Sequence, residues 1–369
     1  MRISVPTETA PREQRVALAP DSVARLIKQQ KLEVVVQRGA GLRAGFRDDA
    51  YESAGATLVA DAAAALGGSP IVAKVQPPSP TEIARIDTGA TLISLMRPGQ
   101  TADIVALLAG RNVTSLALEL VPRITRAQSM DVLSSQSTVA GYKGVLIGAS
   151  ALGKFLPMLT TAAGNISPAK VFVIGAGVAG LQAIATARRL GGVVSAFDVR
   201  PAAREQVQSL GASFVANELV SESAEAAGGY ARAQTQDEAA RTLAAIGNHI
   251  KDMDLVVTTA QIPGRAAPQL ITAEMVASMR AGSVIVDLAA ETGGNCALAK
   301  PGETIQMHDV TIIAPLNVPS TVAFHASQMF GRNIVELLKH LVKDGQAQLD
   351  AADEITGAMM MTHDGKVIR

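Results

Sequence analysis

The glycines of Gly175-Ala176-Gly177-Val178-Ala179-Gly180 are spaced for a tight turn that presses backbone N–H groups against a pyrophosphate. Gly175 permits the turn, Gly177 lets the backbone approach the phosphates, and Gly180 lets the next helix pack close to its strand. The unpaired N–H groups and the dipole at the start of that helix favour negative charge there. A carboxylate, Asp198, follows about 20 residues on, placed to accept from adenosine ribose hydroxyls and to repel a 2′-phosphate. The chemistry implied is dinucleotide binding, NAD rather than NADP. Arg200, just beyond, is the one counter-signal.

Such a turn needs a strand before it and a helix after it. Val171–Ile174 is a β-branched apolar run that reads as a buried parallel strand. Leu181–Leu190 has helical spacing, and Val193–Phe197 forms a second strand leading to Asp198. Upstream, Arg2–Val5, Leu32–Gln37, Ile71–Val75, Thr91–Met96 and Val113–Leu118 read as strands. Ser22–Gln30, Asp48–Ala54, Pro80–Ile86 and Thr101–Ala109 read as the helices between them. This alternation implies a doubly wound parallel sheet. It lacks a GxGxxG of its own, since Gly39-Ala40-Gly41 is only a loop. Ser137–Leu156 reads as one long Ala/Gly-rich helix, and Leu159–Ser167 as a small-residue loop.

Beyond Asp198, Ala202–Leu210 reads as a helix. Ser213–Val215, Leu255–Thr259, Val284–Leu288 and Val310–Ile313 read as strands. Gln261–Arg265 and Ala290–Gly294 are loops at carboxyl strand ends, where nucleotides bind in such sheets. Asn217–Arg241 is acidic, Ala-rich and long for a connection, either a lid or a solvated insertion. Val322–Val342 is a helix long enough to cross back, and Thr362–Gly365 is β-like. The fold class expected is α/β, with two doubly wound parallel-sheet (Rossmann-like) domains and a nucleotide cleft between them. The first would comprise 1–134 plus 322–369, the second 135–321.

Composition narrows the function. The 369 residues are 48% apolar and 18% charged, enough for two cores. No apolar run approaches the ~18 residues of a membrane span, and no N-terminal stretch has the form of a signal peptide. Thirty-three basic residues balance thirty-three acidic ones without a basic block, so nothing suggests nucleic acid. A single cysteine, Cys296, excludes an intrachain disulfide and reads as a small buried residue in a reducing cytoplasm. The five histidines are scattered, with no zinc-type spacing and no metal expected.

A second constellation lies in the polar stretch Val121–Gln136. Arg123 and Gln128 can donate to a nicotinamide carboxamide oxygen, and Asp131 can accept from its amide. Composition alone leaves a solvated hinge equally open. The segments VPRITRAQSMDVLSSQS, KVFVIGAGVAGLQAIATARRLG and DVRPAAREQ closely resemble the NAD(H)-binding component (domain I) of proton-translocating nicotinamide nucleotide transhydrogenases. RVALAP at 15–20, IPGRAAP at 262–268, MVASMRAGSVIVDLAAETGGN at 275–295 and the closing DEITGAMMMTHDGKV extend the likeness to nearly the whole chain.

The resemblance assigns Arg123, Gln128, Asp131 and Ser134 to the loop that holds the NAD nicotinamide and faces the partner's NADP. It assigns Gly175, Gly177, Val178 and Gly180 to the pyrophosphate, and Asp198 with Val199 to the adenosine ribose. Gly229 and Tyr230 fall on a mobile loop that closes over the nucleotide, and Gln261 falls beside the adenine. Ser129, Met130, Ala176 and Arg200, within or beside these motifs, complete the expected NAD(H)-binding set. The partners implied are an NADP(H)-binding domain, membrane-spanning transhydrogenase subunits and a second copy in a homodimer. That would hold a cytoplasmic chain at the inner membrane. Alanine dehydrogenases are similar too. Their substrate site resembles Arg15 and Lys74, which are either inherited structural charges or partners of neighbouring carboxylates. Their acid/base histidine matches Met96, which cannot carry a proton, and their acid after the last strand matches Glu291. A soluble dehydrogenase and an NAD-sensing module without chemistry are therefore the rival readings.

Overall fold

The computed structural model describes residues 1–216, 219, 235–262 and 265–369. In chain order the elements begin β1 (Arg2–Val5), α1 (Pro20–Gln30), β2 (Glu33–Gln37), α2 (Asp48–Ser53), β3 (Thr57–Val59), α3 (Ala62–Leu66), β4 (Ile71–Ala73), α4 (Pro80–Ile83), β5 (Thr91–Ser94), α5 (Ala102–Gly110) and β6 (Thr114–Ala117). A 3-10 helix, Thr125–Met130, precedes α6 (Val132–Ala151). There follow β7 (Leu159–Thr161), β8 (Gly164–Ile166), β9 (Lys170–Ile174), α7 (Val178–Arg189), β10 (Val193–Phe197), α8 (Pro201–Ser209) and β11 (Ser213–Phe214). Next come α9 (Gln236–Ile250), β12 (Leu255–Thr258), α10 (Ala273–Ser278), β13 (Val284–Asp287), β14 (Thr304–Met307) and β15 (Val310–Ile313). The chain closes with α11 (Ala323–Leu341), β16 (Val342–Lys343), β17 (Gln346–Ala347), α12 (Glu354–Met359), β18 (Met360–His363) and β19 (Lys366–Val367).

These elements divide into two compact units, Met1–Gln136 with Pro319–Arg369, and Ser137–Val318. The first holds a sheet of order β19-β18-β6-β5-β4-β1-β2-β3. Strands β1 to β6 pair in parallel, and the closing hairpin adds antiparallel beside β6. The second holds β11-β10-β9-β12-β13-β15-β14, parallel except for the β14 edge. Every residue of β4, β5, β12 and β13 is buried, as expected where helices cover both faces of a parallel sheet.

Helix α11 buries Ala323, Phe330, Ile334, Leu337 and Leu341 along one stripe against the first core. Helix α6 approaches its neighbours through glycine. A Cβ at Gly141 would sit 2.0 Å from the Ala179 carbonyl oxygen. One at Gly144 would meet Leu288 at 2.8 Å, and one at Gly148 would meet Leu255 at 2.4 Å.

Several local expectations give way. The long helix begins at Val132 instead of Ser137 and ends at Ala151 instead of Leu156. Leu159–Ser167 is not a plain loop but contains the β7–β8 hairpin. Of the long segment read as Asn217–Arg241, the stretch from Gln236 onward belongs to α9. There Thr235 and Glu238 form a reciprocal capping box. Among the described residues no helix is long and apolar enough to cross a membrane, and no group of His, Cys, Asp or Glu is placed to hold a metal ion.

Candidate nucleotide site

The glycine-rich turn runs between β9 and α7, in the second unit. Gly175 has φ +91°, and a Cβ on it would meet Thr259 Oγ1 at 2.8 Å. Gly180 packs so closely that a Cβ would lie 1.8 Å from the Gly175 carbonyl oxygen. At Gly177 the surroundings are open: the nearest atom to a Cβ is Arg200 Nη2, at 3.9 Å. Gly177 is also the N-cap of α7 and offers no side-chain cap. The first turn, with Val178 exposed, therefore starts in open surroundings, and the unpaired N–H groups of a helix start favour an anion.

Asp198 follows β10 and is 7% exposed. Its Oδ2 accepts from the Ala176 N–H at 2.7 Å, which ties the acid to the turn. Arg200 donates its backbone N–H and Nε to Oδ1, both at 2.9 Å, and its Nη2 to Oδ2 at 2.7 Å. The two residues read as opposing signals in the sequence are therefore one ion pair. Ala176 itself is buried, and Val199 is half-buried against the second unit's core.

Residues that the sequence did not single out hold the turn from behind. Thr259 Oγ1 donates to the Gly175 carbonyl at 2.9 Å. Asn295, fully buried, accepts from the Ala260 N–H at 3.1 Å and donates to the Ala260 and Pro268 carbonyls at 2.9 and 2.8 Å. Its own N–H and that of Cys296 go to Asp287 Oδ2, while Thr258 Oγ1 and the Ala289 N–H go to Oδ1. Only a side chain both donating and accepting, as Asn does, can serve Ala260 this way. The asparagine within GGN was the available signal. Exposed Gln261 follows, its Nε2 donating to the Leu288 carbonyl at 3.2 Å. Gly229 and Tyr230 lie outside the described residues.

The polar stretch belongs to the first unit. Positions three apart in a 3-10 helix share a face. Ala127 and Met130 accordingly point into the core, while Thr125 and Gln128 are exposed. Arg123 and Ser129 are exposed too, so the segment shows its polar side from an apolar footing. Met130 is 6% exposed and serves as one of the anchors. Asp131 caps α6: Oδ1 accepts from the Ser134 N–H at 3.0 Å and Oδ2 from its hydroxyl at 2.6 Å. That cap explains the early helix start.

Family models for the alanine dehydrogenase/PNT N-terminal and C-terminal domains match residues 4–140 and 144–369. The chain belongs to that family. It is 45% identical, over all of its length and 98% of the relative's, to the first portion of NAD(P) transhydrogenase subunit alpha of Rhodospirillum rubrum. A transhydrogenase structure from Sinorhizobium meliloti superposes with a TM-score of 0.90 at 44% identity, covering 100% of both chains. The alanine dehydrogenase of Halomonas elongata is 30% identical over the whole chain and 94% of its own. Homology of this extent supports an oxidoreductase-family role and NAD(H) binding.

Arg15 and Lys74 are engaged with acids of their own chain. Arg15, 3% exposed, donates Nε to Glu13 Oε1 at 2.8 Å, Nη2 to Oε2 at 2.7 Å and Nη1 to Gln136 Oε1 at 2.8 Å. Lys74, 1% exposed, lies 2.8 Å from Glu82 and 3.5 Å from Glu8. Burial alone would raise the Glu13 carboxyl, but the hydrogen bonds and charge of Arg15 hold it at about 2. Glu8, which accepts the Val75 and Gln76 N–H groups and faces Lys74, is pushed up by burial. Met96 is fully buried, and its N–H donates to the Glu119 carboxylate at 2.9 Å. No histidine occurs in Thr91–Gln100. Glu291, exposed, accepts from the Asn317 N–H. Cys296 is 1% exposed, and burial pushes its thiol up to about 11, which leaves it inert.

Proposed function

We propose that this chain is the NAD(H)-binding component of a proton-translocating transhydrogenase. In this reading it passes hydride from NADH directly to NADP⁺ held by a partner domain. The observation that carries it is the Arg123–Ser134 segment, which rests on Ala127 and Met130 yet shows Arg123 and Gln128 to solvent. A polar side fixed on an apolar footing suits orientation of a nicotinamide. When bound, the dinucleotide supplies the hydride. The turn at Gly175, Gly177 and Gly180 would take its pyrophosphate, and Asp198 its ribose. Arg123 and Gln128 would donate to the carboxamide, and Asp131 with Ser134 would complete that end.

Transfer between two nicotinamides moves no proton at the reacting centre. The residues here need only hold and orient, and shut out water. Met96, where alanine dehydrogenases are expected to carry histidine, is consistent with that demand. Proton coupling would belong to membrane-spanning partner subunits. They would hold this chain, as a homodimer, at the cytoplasmic face of the inner membrane.

The test uses NADH deuterated at C4. Mixed with an NADP(H)-binding partner domain, the chain should deliver the label to C4 of the NADPH formed, without loss to solvent. Alone, it should turn over no amino or hydroxy acid. Oxidation of alanine by the chain alone would establish the dehydrogenase reading, and NADH binding with neither activity would leave an NAD sensor.

A further inference from the structure

The 3-10 helix Thr125–Met130 packs along α11, its anchors Ala127 and Met130 sharing a core with Phe330 and Ile334. Two side-chain tethers from the C-terminal segment reach it. Asn333 of α11 donates Nδ2 to the Ser129 carbonyl at 2.8 Å. Arg126 lies 3.2 Å from Glu354 and 3.5 Å from Asp353 at the start of α12. The second tether joins exposed groups, Arg126 and Glu354 being 54% and 61% exposed, and such pairs hold little.

Asn333 is a poor choice for its helix on every other ground. Asparagine is an indifferent helix former. Its Oδ1 is sealed from solvent and has no hydrogen-bond partner, a destabilising condition. Reversing the amide would turn its oxygen toward the Ser129 carbonyl, so the donor must face the loop. A leucine of similar shape would suit the helix better. What leucine lacks is the N–H to Ser129, the residue next to exposed Gln128.

We propose that Asn333 is a positioning residue for the transfer step: it fixes the Ser129 carbonyl, and through it the Gln128 side chain, at the cost of an unpaired buried acceptor. The inference rests on the proposed role of the Arg123–Ser134 segment, but its structural half is separately measurable.

The variant is Asn333→Leu, with Asn333→Ala beside it. Asn333→Leu should melt at or above the wild-type temperature and bind NADH within about threefold of wild type. Hydrogen–deuterium exchange of the amides of 125–131 should quicken at least tenfold in both variants, with α6 and the rest of α11 unchanged. Hydride transfer to partner-bound NADP⁺, at saturating nucleotide, should fall at least tenfold with little change in KM. A purely structural asparagine would instead lower the melting temperature of Asn333→Leu and leave transfer per folded molecule intact. Unchanged exchange at 125–131, or looser exchange with unchanged transfer, overturns the proposal. If the wild type itself transfers no hydride, the transhydrogenase reading falls, and the exchange data alone decide whether Asn333 holds the loop.

Discussion

Asp198 and Arg200 form a closed ion pair, each carboxylate oxygen of the acid taken by the arginine. An isolated Asp198 would repel a 2′-phosphate with a full negative charge. Paired, the site is nearly neutral, and on the proposed binding mode a nucleotide's ribose would compete with the guanidinium for the same oxygens.

Nucleotide choice follows from that pairing. NADH should bind more tightly than NADPH, though less exclusively than an unpaired acid would dictate. Arg200→Gln should widen the ratio of the two dissociation constants by about tenfold, roughly 1.4 kcal/mol. Titrations followed by nicotinamide emission are unobscured, since the chain has no tryptophan. A ratio unchanged in the variant would mean that the pair plays no part in discrimination.

The three glycines of the turn should separate in their effects. Gly180→Ala drives a Cβ to 1.8 Å from the Gly175 carbonyl, and the unit should lose its native thermal transition. Gly177→Ala meets nothing nearer than 3.9 Å, so it should fold normally and lose NADH binding. Retained NADH affinity in Gly177→Ala would place the pyrophosphate elsewhere.

In the Arg123–Ser134 segment, Gln128→Asn changes an exposed side chain and should alter stability by less than about 0.5 kcal/mol. NADH binding should stay within about tenfold. Hydride transfer should fall on the order of 10²-fold, the usual result of ~1 Å of misplacement. Asp131→Asn should behave alike, because asparagine still caps α6, whereas Asp131→Ala should also lose about 1 kcal/mol of stability. Binding and transfer falling in equal proportion would make the segment an affinity element instead.

Glu13 and Arg15 offer a test by pH. Glu13 is held at about 2 in the fold, against 4.5 ordinarily. Its contribution is present above about 4.5 and is lost as pH falls through about 2. Glu13→Gln should therefore cost ~3–5 kcal/mol near neutrality, the usual penalty for leaving a buried charge unpaired. The gap to wild type in urea unfolding should shrink steadily between pH 4.5 and 2. A gap independent of pH would show that Glu13 acts through packing.

The parallel strands were legible because they are buried on both faces and so read as unbroken apolar runs, as in Val171–Ile174. Elements without that burial escaped notice. Strand β3 has three partly exposed residues, and β14 is a four-residue antiparallel edge, mostly exposed. The start of α6 was missed because it depends on one contact, Ser134 to Asp131, whose acid could equally have stood in a loop. The glycine turn was visible as spacing. The pairing of Asp198 with Arg200 was not, since spacing says nothing of which rotamer a side chain adopts. Asn295 and Asn333 escaped for a related reason: each meets its loop only after the chain has folded across a long sequence separation.

The seam between β6 and β18 has a consequence for how the molecule is made. Ser115 and Thr362 share side-chain and backbone hydrogen bonds there, and α11 supplies much of the same core. A ribosome must therefore finish nearly the whole chain before the first-synthesised sheet can close. The second unit has all the strands of its main sheet between residues 170 and 313 and can fold while its elder neighbour still waits. Released chains truncated after residue 318 should yield a protease-resistant second unit beside a digestible first. The opening third of the protein would then be the region most dependent on chaperones during translation.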